Sequence, residues 1–180
     1  MGKIILLLLA TLFNFQIGIA QDQGLVTSEQ IDTLEVGDLI QVVLENIAFE
    51  NSNNNKTEIG FFKKLPVEKK MFYALVVLDM NVKNGGFSQY YYNSAGKYLD
   101  MSLLACKKMG LNKYEDVIEK ANKVYLENNS KDSNDINFTE SNRTRFSELN
   151  KEYYHLEIDN QMYKVLRGFI KSNKQIFISK

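Results

Sequence analysis

The chain has 180 residues, 44% of them hydrophobic and 12% aromatic, with one proline, one cysteine, one histidine and no tryptophan. Its 22 basic residues equal its 22 acidic ones. It is therefore too apolar for a disordered chain, too poor in cysteine for a disulfide scaffold and too poor in proline for a collagenous one. The length fits one domain with a core of its own, which at this size buries roughly 70% of the surface of the unfolded chain.

In chain order, a short charged start, Met1-Gly2-Lys3, leads into an apolar run from Ile4 to Phe15, and Gly18-Ile19-Ala20 sets small residues on both sides of Ile19. This is the pattern of a secretory signal peptide, with cleavage expected after Ala20 and residues 21–180 as the mature, periplasmic or secreted chain. An uncleaved anchor is the competing reading, but the run is short for a bilayer and is interrupted by Asn14 and Gln16. The mature chain would hold 21 bases and 22 acids and no second long apolar stretch, so no transmembrane segment is expected in it. Such near-neutrality argues against direct nucleic-acid binding. Cys106, beside Leu103, Leu104 and Ala105, is expected to be a buried small hydrophobe.

The periodicity is helical almost throughout. Leu34, Leu39, Ile40, Val43 and Ile47 predict a first helix ending near Asn51–Asn55. Pro66 suits the first position of a second helix, with Glu68 near its positive end and Met71, Phe72, Leu75, Leu78 and Val82 as its apolar stripe. Tyr98 to Met109 reads as a helix stopped by Gly110. Tyr114, Val117, Ile118, Ala121, Val124 and Tyr125 all fall on one helical face. A polar loop over 128–142, a short helix from Phe146 to Leu156, and a last helix marked by Met162, Leu166, Phe169 and Ile170, capped by Asp159 or Asn160, follow. Gln175 to Ile178 is expected to be an extended tail that tucks Ile176 and Phe177 against the body. The fold class is all-α, a single compact multi-helix domain.

One motif stands apart, Asn84-Gly85-Gly86-Phe87-Ser88-Gln89-Tyr90-Tyr91-Tyr92-Asn93. Adjacent glycines allow a tight reversal, with the positive φ expected at Gly85 and Phe87 plugging the bend. Two readings stay open. In one, Gln89 and Asn93 satisfy the open backbone groups of the turn. In the other, Asn84, Gly85, Gly86, Phe87, Gln89, Tyr90 and Asn93 form a binding surface, its polar and aromatic contacts made by Asn84, Gln89, Tyr90 and Asn93.

The stretch resembles the Asn-Gly-Gly-Phe-x-Gln-(aromatic)-(aromatic)-x-Asn signature of a bacterial DNA-mimic-protein (DMP)-like domain family of unknown function. The likeness continues through Ser94-Ala95-Gly96, Leu103-Leu104-Ala105, Phe146-Ser147-Glu148-Leu149 and Phe169-Ile170-Lys171-Ser172-Asn173, about residues 65–177. The resemblance implies an all-helical fold and, in the characterised case, inhibition of a DNA-binding partner by an acidic surface. Duplex DNA carries a charge about every 1.7 Å, and a near-neutral chain does not supply so dense an acidic face.

Catalytic chemistry finds little footing. One His and one Cys make no metal signature, and the loop carboxylates Asp132, Asp135 and Glu140 read as solvated. His155 is the sole imidazole base and no Gly-x-Ser-x-Gly elbow is present. Glu148 and Glu152, four apart, read as an exposed helix face. Gly85-Gly86 lacks the spacing of a phosphate-binding loop. Lys164, Arg167, Lys171, Lys174 and Lys180 follow Asp159 with no further acid, a solvated basic face or a weak site for an acidic partner. No catalytic residue, metal or cofactor is therefore expected. The expected function is that of an exported, non-catalytic domain of inhibitor or immunity type that binds another protein. The alternative is an envelope enzyme or small-ligand binder using Asn84, Gln89, Asn93 and a carboxylate such as Asp79.

Overall fold

A computed structural model describes residues 25–52, 58–94, 96–130, 135–158 and 161–179. The apolar start and the cap expected at Asp159 or Asn160 lie outside the described residues. All regular structure among the described residues is helical, and none of these helices is long and apolar enough to cross a membrane.

The first helix, α1 (Ser28–Thr33), precedes the first one that periodicity predicts. Its cause is a capping box: Thr27 Oγ1 accepts from the Gln30 N–H at 3.2 Å, and Gln30 Oε1 accepts from the Thr27 N–H at 2.8 Å. Leu34, expected inside a helix, is extended instead (ψ 145°) and separates α1 from α2 (Val36–Ser52). After α3 (Glu58–Phe62), Pro66 sits one residue before the position predicted for it. Its carbonyl accepts the first helical bond, from the Lys70 N–H at 2.9 Å, and opens α4 (Val67–Ser94).

Helix α4 is the axis of the domain. Met71, Phe72, Leu75, Leu78 and Val82 are buried, as their spacing requires. The helix then breaks at Gly85 and Gly86, which have non-helical backbone angles, so that two arms run at different angles. Helices α5 (Leu99–Met109) and α6 (Asn112–Leu126) follow, separated by Gly110, whose φ of 70° makes it the left-handed stop. Cys106 is fully buried, and burial pushes its thiol up to about 12. The six residues of the α6 stripe are all buried.

Helix α7 (Glu140–Leu156) begins earlier than its apolar residues suggest, because Thr139 and Asn142 form a second capping box and shorten the polar loop. Helix α8 (Gln161–Ser172) buries Met162, Leu166 and Ile170 and packs against α2. The arms of α4 pack on α5, α7 and α2, and α6 bridges α5 to α7.

The end of the chain departs from expectation. Lys174–Phe177 is not extended but forms a short helix, α9. Phe177 is buried edge-on against Phe72 at 5.8 Å, whereas Ile176 remains exposed. A one-turn helix turns successive side chains by about 100°, so neighbours cannot share an inward direction. Ser179 then ties this end to the start of the described part. The Ser179 N–H donates to the Val26 carbonyl (3.0 Å), and Ser179 Oγ accepts from the Val26 N–H (2.7 Å) and from Asn46 Nδ2 (3.0 Å). Phe177→Ala is expected to cost about 3 kcal/mol or more and Ile176→Ala to stay within about 0.5 kcal/mol, as read from denaturant midpoints.

Candidate functional site

The double-glycine corner is built by one backbone state and two side chains. Gly86 holds φ 76° and ψ −177°, an arrangement almost confined to glycine, while Gly85 lies at φ −159°. The positive φ expected at Gly85 therefore belongs to its neighbour. Phe87 plugs the bend as expected, fully buried and edge-on to Tyr153 at 5.6 Å.

The amide that satisfies the turn comes from neither Gln89 nor Asn93. Asn150, on α7, accepts from the Phe87 N–H at 2.9 Å. This is one of the open donors at the start of the second arm. Asn93 instead donates to Asn81 Oδ1 at 2.7 Å, and the Gln89 amide lies against Gly85. The Gln89 and Asn150 amides thus both lie at the double glycine, whereas Asn93 is spent on Asn81.

Of the residues nominated from the sequence, Asn84 and Gly85 are exposed and Gln89 and Asn93 half-buried. Gly86, Phe87 and Tyr90 are buried, so they shape the corner from inside. The next aromatic, Tyr91, is also buried and stacks on Tyr125 at 4.3 Å, whereas Tyr92 is 69% exposed.

Behind the corner lies an ionic node. Lys83 Nζ is 2.8 Å from Asp79 Oδ2 and 2.9 Å from Glu157 Oε2, so one ammonium serves two carboxylates. Asp79 is fully buried and Glu157 nearly so, while Lys83 keeps about a third of its side chain in solvent, 36%. Tyr153 donates to Asp79 Oδ1 at 2.9 Å. Tyr114 donates to Glu157 Oε1 and stands 2.9 Å from the Leu156 carbonyl. Tyr163 lies under Lys83 with its ring centre 4.6 Å from Nζ, and Tyr154 donates to the Val82 carbonyl at 2.7 Å.

Burial raises the Asp79 carboxyl above its ordinary range, Glu157 adds to this, and Lys83 and Tyr153 oppose it. For Lys83, burial works against the charged form, but Asp79 and Glu157 outweigh it and hold the ammonium above its usual value. The Tyr114, Tyr153 and Tyr163 hydroxyls are all pushed up, first by burial and then by the carboxylates. Only Asp79 of this set was singled out in the sequence; Lys83, Tyr114, Tyr153, Glu157 and Tyr163 become neighbours through the fold.

The remaining candidates stay apart. His155, Glu148 and Glu152 are exposed, and Glu152 pairs with Lys120 at 3.1 Å. Asp135 and Glu140 are exposed, and Asp132 lies outside the described residues. No cluster of three His, Cys, Asp or Glu suited to a metal occurs among the described residues.

The basic face of α8 is partly occupied within the chain. Arg167 donates to the Leu34 carbonyl (2.9 Å) and Lys171 to that of Asp32 (3.2 Å), and Lys174 pairs with the Asp32 carboxylate at 2.5 Å. The even total charge hides a segregation that these contacts bring to light. Residues 21–62 hold eight acids and one base, whereas residues 63–180 hold 14 acids and 20 bases.

Fold and corner define an all-helical domain whose central helix is broken by a buried glycine and stapled by an asparagine from a distant helix. The chain belongs to the DMP19-like protein family, which matches it over residues 63–173, from just before α4 to the end of α8. The family takes its name from a DNA mimic protein. No curated protein and no solved structure is matched by the sequence.

Two outcomes test this geometry. A Cβ on Gly86 would stand 2.2 Å from Asn150 Nδ2 at a backbone angle that side chains rarely adopt. Gly86→Ala should therefore cost about 2 kcal/mol or more. Gly85→Ala meets no strained backbone angle and displaces chiefly the Gln89 amide, with a slight shift of Gln89 Cβ at 3.1 Å, and should cost less, so the two denaturant midpoints should separate clearly. Lys83→Met leaves two buried carboxylates without a cation and should destabilise by about 2 kcal/mol at neutral pH, part of the full effect because Lys83 is partly exposed. A carboxyl raised in the folded state binds its proton more readily there than in the unfolded chain. Its contribution to stability is thus present at low pH and lost as pH rises through the folded value. The deficit of Lys83→Met should accordingly narrow as pH falls toward about 4, measured by urea titration across pH.

Proposed function

We propose that this member of the DMP19-like family is an exported, non-catalytic domain that acts by binding another protein through the surface around the double-glycine corner. The observation that carries the reading is the pairing of a held backbone with exposed surface groups. Asn84 and Gly85 are exposed on a corner that Phe87 and Asn150 hold in place. Beside it, Tyr154 reaches the Val82 carbonyl yet stays exposed, and Ile158, next to the Lys83 partner Glu157, is 71% exposed. An apolar side chain so open beside a buried ion pair is the kind of group that anchors a protein interface.

The chemistry behind the corner favours binding over catalysis. Asp79, the carboxylate offered as an example for the enzyme or small-ligand alternative, is buried and held by Lys83 and Tyr153. The Asn150 amide is taken up by the turn and that of Asn93 by Asn81. Export rests on the charged, apolar and small-residue pattern of residues 1–20.

The family name brings mimicry of DNA into view, but the matched segment carries 18 bases and 14 acids, the opposite of a phosphate-like surface. We therefore assign the partner as a protein, with no direct binding of nucleic acid.

The test is a capture experiment on the exported fraction with the intact chain and with Ile158→Asp, whose site is on the surface. A partner recovered in stoichiometric amount by the parent should bind the variant at least about tenfold more weakly, equivalent to about 1.4 kcal/mol, at unchanged folding stability. Equal capture by both chains, or no partner for either, would overturn the reading.

A further inference from the structure

Asparagine is a thermolabile side chain, and its amide is most at risk where the next residue leaves the main-chain nitrogen unhindered. The chain places asparagine before glycine once, at Asn84-Gly85. Both residues are exposed at the corner. Among the described residues no hydrogen bond holds the Asn84 side chain, whereas the side chains of Asn81, Asn93, Asn129, Asn142 and Asn150 are all bonded. Helical backbone angles end with Asn84, since Gly85 lies at φ −159° and ψ 23°. Asn84 therefore closes the first arm of α4, and the last turn of a helix opens more readily than its middle. Gly85 has no Cβ to obstruct the approach of the Asn84 side chain to its nitrogen.

We propose that Asn84 and Gly85 form a self-modifying site, at which Asn84 is converted to aspartate and isoaspartate without an enzyme, and that the isoaspartyl form loosens the staple at Gly86. The Gly85 main-chain nitrogen gives up its proton to solvent and attacks Asn84 Cγ. A cyclic imide forms as the Cγ–Nδ2 bond breaks, and Nδ2 leaves as ammonia with a proton from solvent. Water then opens the ring. Cleavage at Cγ gives aspartate with the main chain unchanged. Cleavage at the carbonyl carbon of residue 84 gives isoaspartate, in which the chain runs through Cβ and Cγ. Nothing is oxidised or reduced, and water is the only co-reactant.

Either product sets a negative charge at the C-terminal end of the first arm, where the helix dipole disfavours it. The isoaspartyl product also lengthens the main chain by one carbon just ahead of Gly86. The fit there leaves little room for a shift: a Cβ on Gly86 would stand 2.2 Å from Asn150 Nδ2, and Asn150 Oδ1 holds the Phe87 N–H at 2.9 Å. The site is a property of the chain by itself and holds whether or not the corner binds a partner.

The test is to hold the intact folded chain at body temperature and mildly alkaline pH for days, and to map its peptides by mass spectrometry. Isoaspartate is scored by enzymatic methylation of its carboxylate. The peptide containing Asn84 should pass from amide to acid ahead of every other asparagine peptide, and faster as pH rises, because the attacking nitrogen must lose its proton. Asn84→Gln keeps an exposed amide but needs a larger ring, and Gly85→Ala hinders the nitrogen. Each should slow the conversion several-fold. Because Asn84 is exposed, Asn84→Gln decides the matter even if Gly85→Ala perturbs the fold. An Asn84 peptide that stays unchanged, one that converts no faster than the others, or a rate indifferent to Asn84→Gln overturns the site. The isolated isoaspartyl fraction should unfold at a lower denaturant midpoint than Asn84→Asp, which carries the same charge on an unaltered main chain. Equal midpoints would overturn the loosening of the staple.

Discussion

The corner depends on empty space at one atom. Gly86 turns the chain through a positive φ while Asn150 occupies the volume that a Cβ would need. The exchange is reciprocal, because the asparagine that excludes a side chain also supplies the acceptor for the Phe87 N–H. A helix restarting after a break leaves its first donors open, and a buried open donor is costly. One glycine and one amide thus let a long helix break inside the core and continue at a new angle. Phe87 then fills the inside of the bend and meets Tyr153, while Tyr91 on the second arm stacks on Tyr125.

This bend brings α4, α6, α7 and α8 close enough to share the polar groups behind it. Asp79 and Lys83 lie one turn apart on the first arm, and Glu157 reaches the same ammonium from 74 residues away. Buried ion pairs contribute little net stability by themselves, because the charges must first give up water. Their effect is directional. With Tyr114, Tyr153 and Tyr163 around them, they fix which ends of the helices meet. The charged residues of the N-terminal and C-terminal parts play a comparable role at the other side, where Asp32 and the Leu34 carbonyl meet Lys174, Lys171 and Arg167.

Much of this architecture is written in local patterns. The α6 stripe, the burial of Cys106 and the stop at Gly110 follow from spacing and from the conformational freedom of glycine, which act over a few residues. The capping box that starts α1 was equally local, a Thr-x-x-Gln pattern, but α1 has one buried apolar residue, Ile31, and so shows no stripe to attract attention. The corner was legible as a bend and not as a structure. Gln89 and Asn93 stand at a plausible spacing for capping, but Asn93 bonds Asn81 while Asn150 takes the Phe87 N–H, and Asn150 gives no sign in the sequence of what it will meet. Nor does total charge show its distribution, since a neutral sum is compatible with any segregation along the chain.

The sequence alone determined that the chain is helical, where most of its helices lie, which faces they bury, and that the chain bends at Gly85-Gly86. Those properties come from backbone preference and side-chain periodicity, which are decided within a turn or two. Tertiary structure decided which glycine carries the strain, which amide answers it, and which carboxylates share Lys83. Those outcomes depend on contacts between segments 63 to 74 residues apart, and no pattern within one helix determines what a neighbouring helix will place against it.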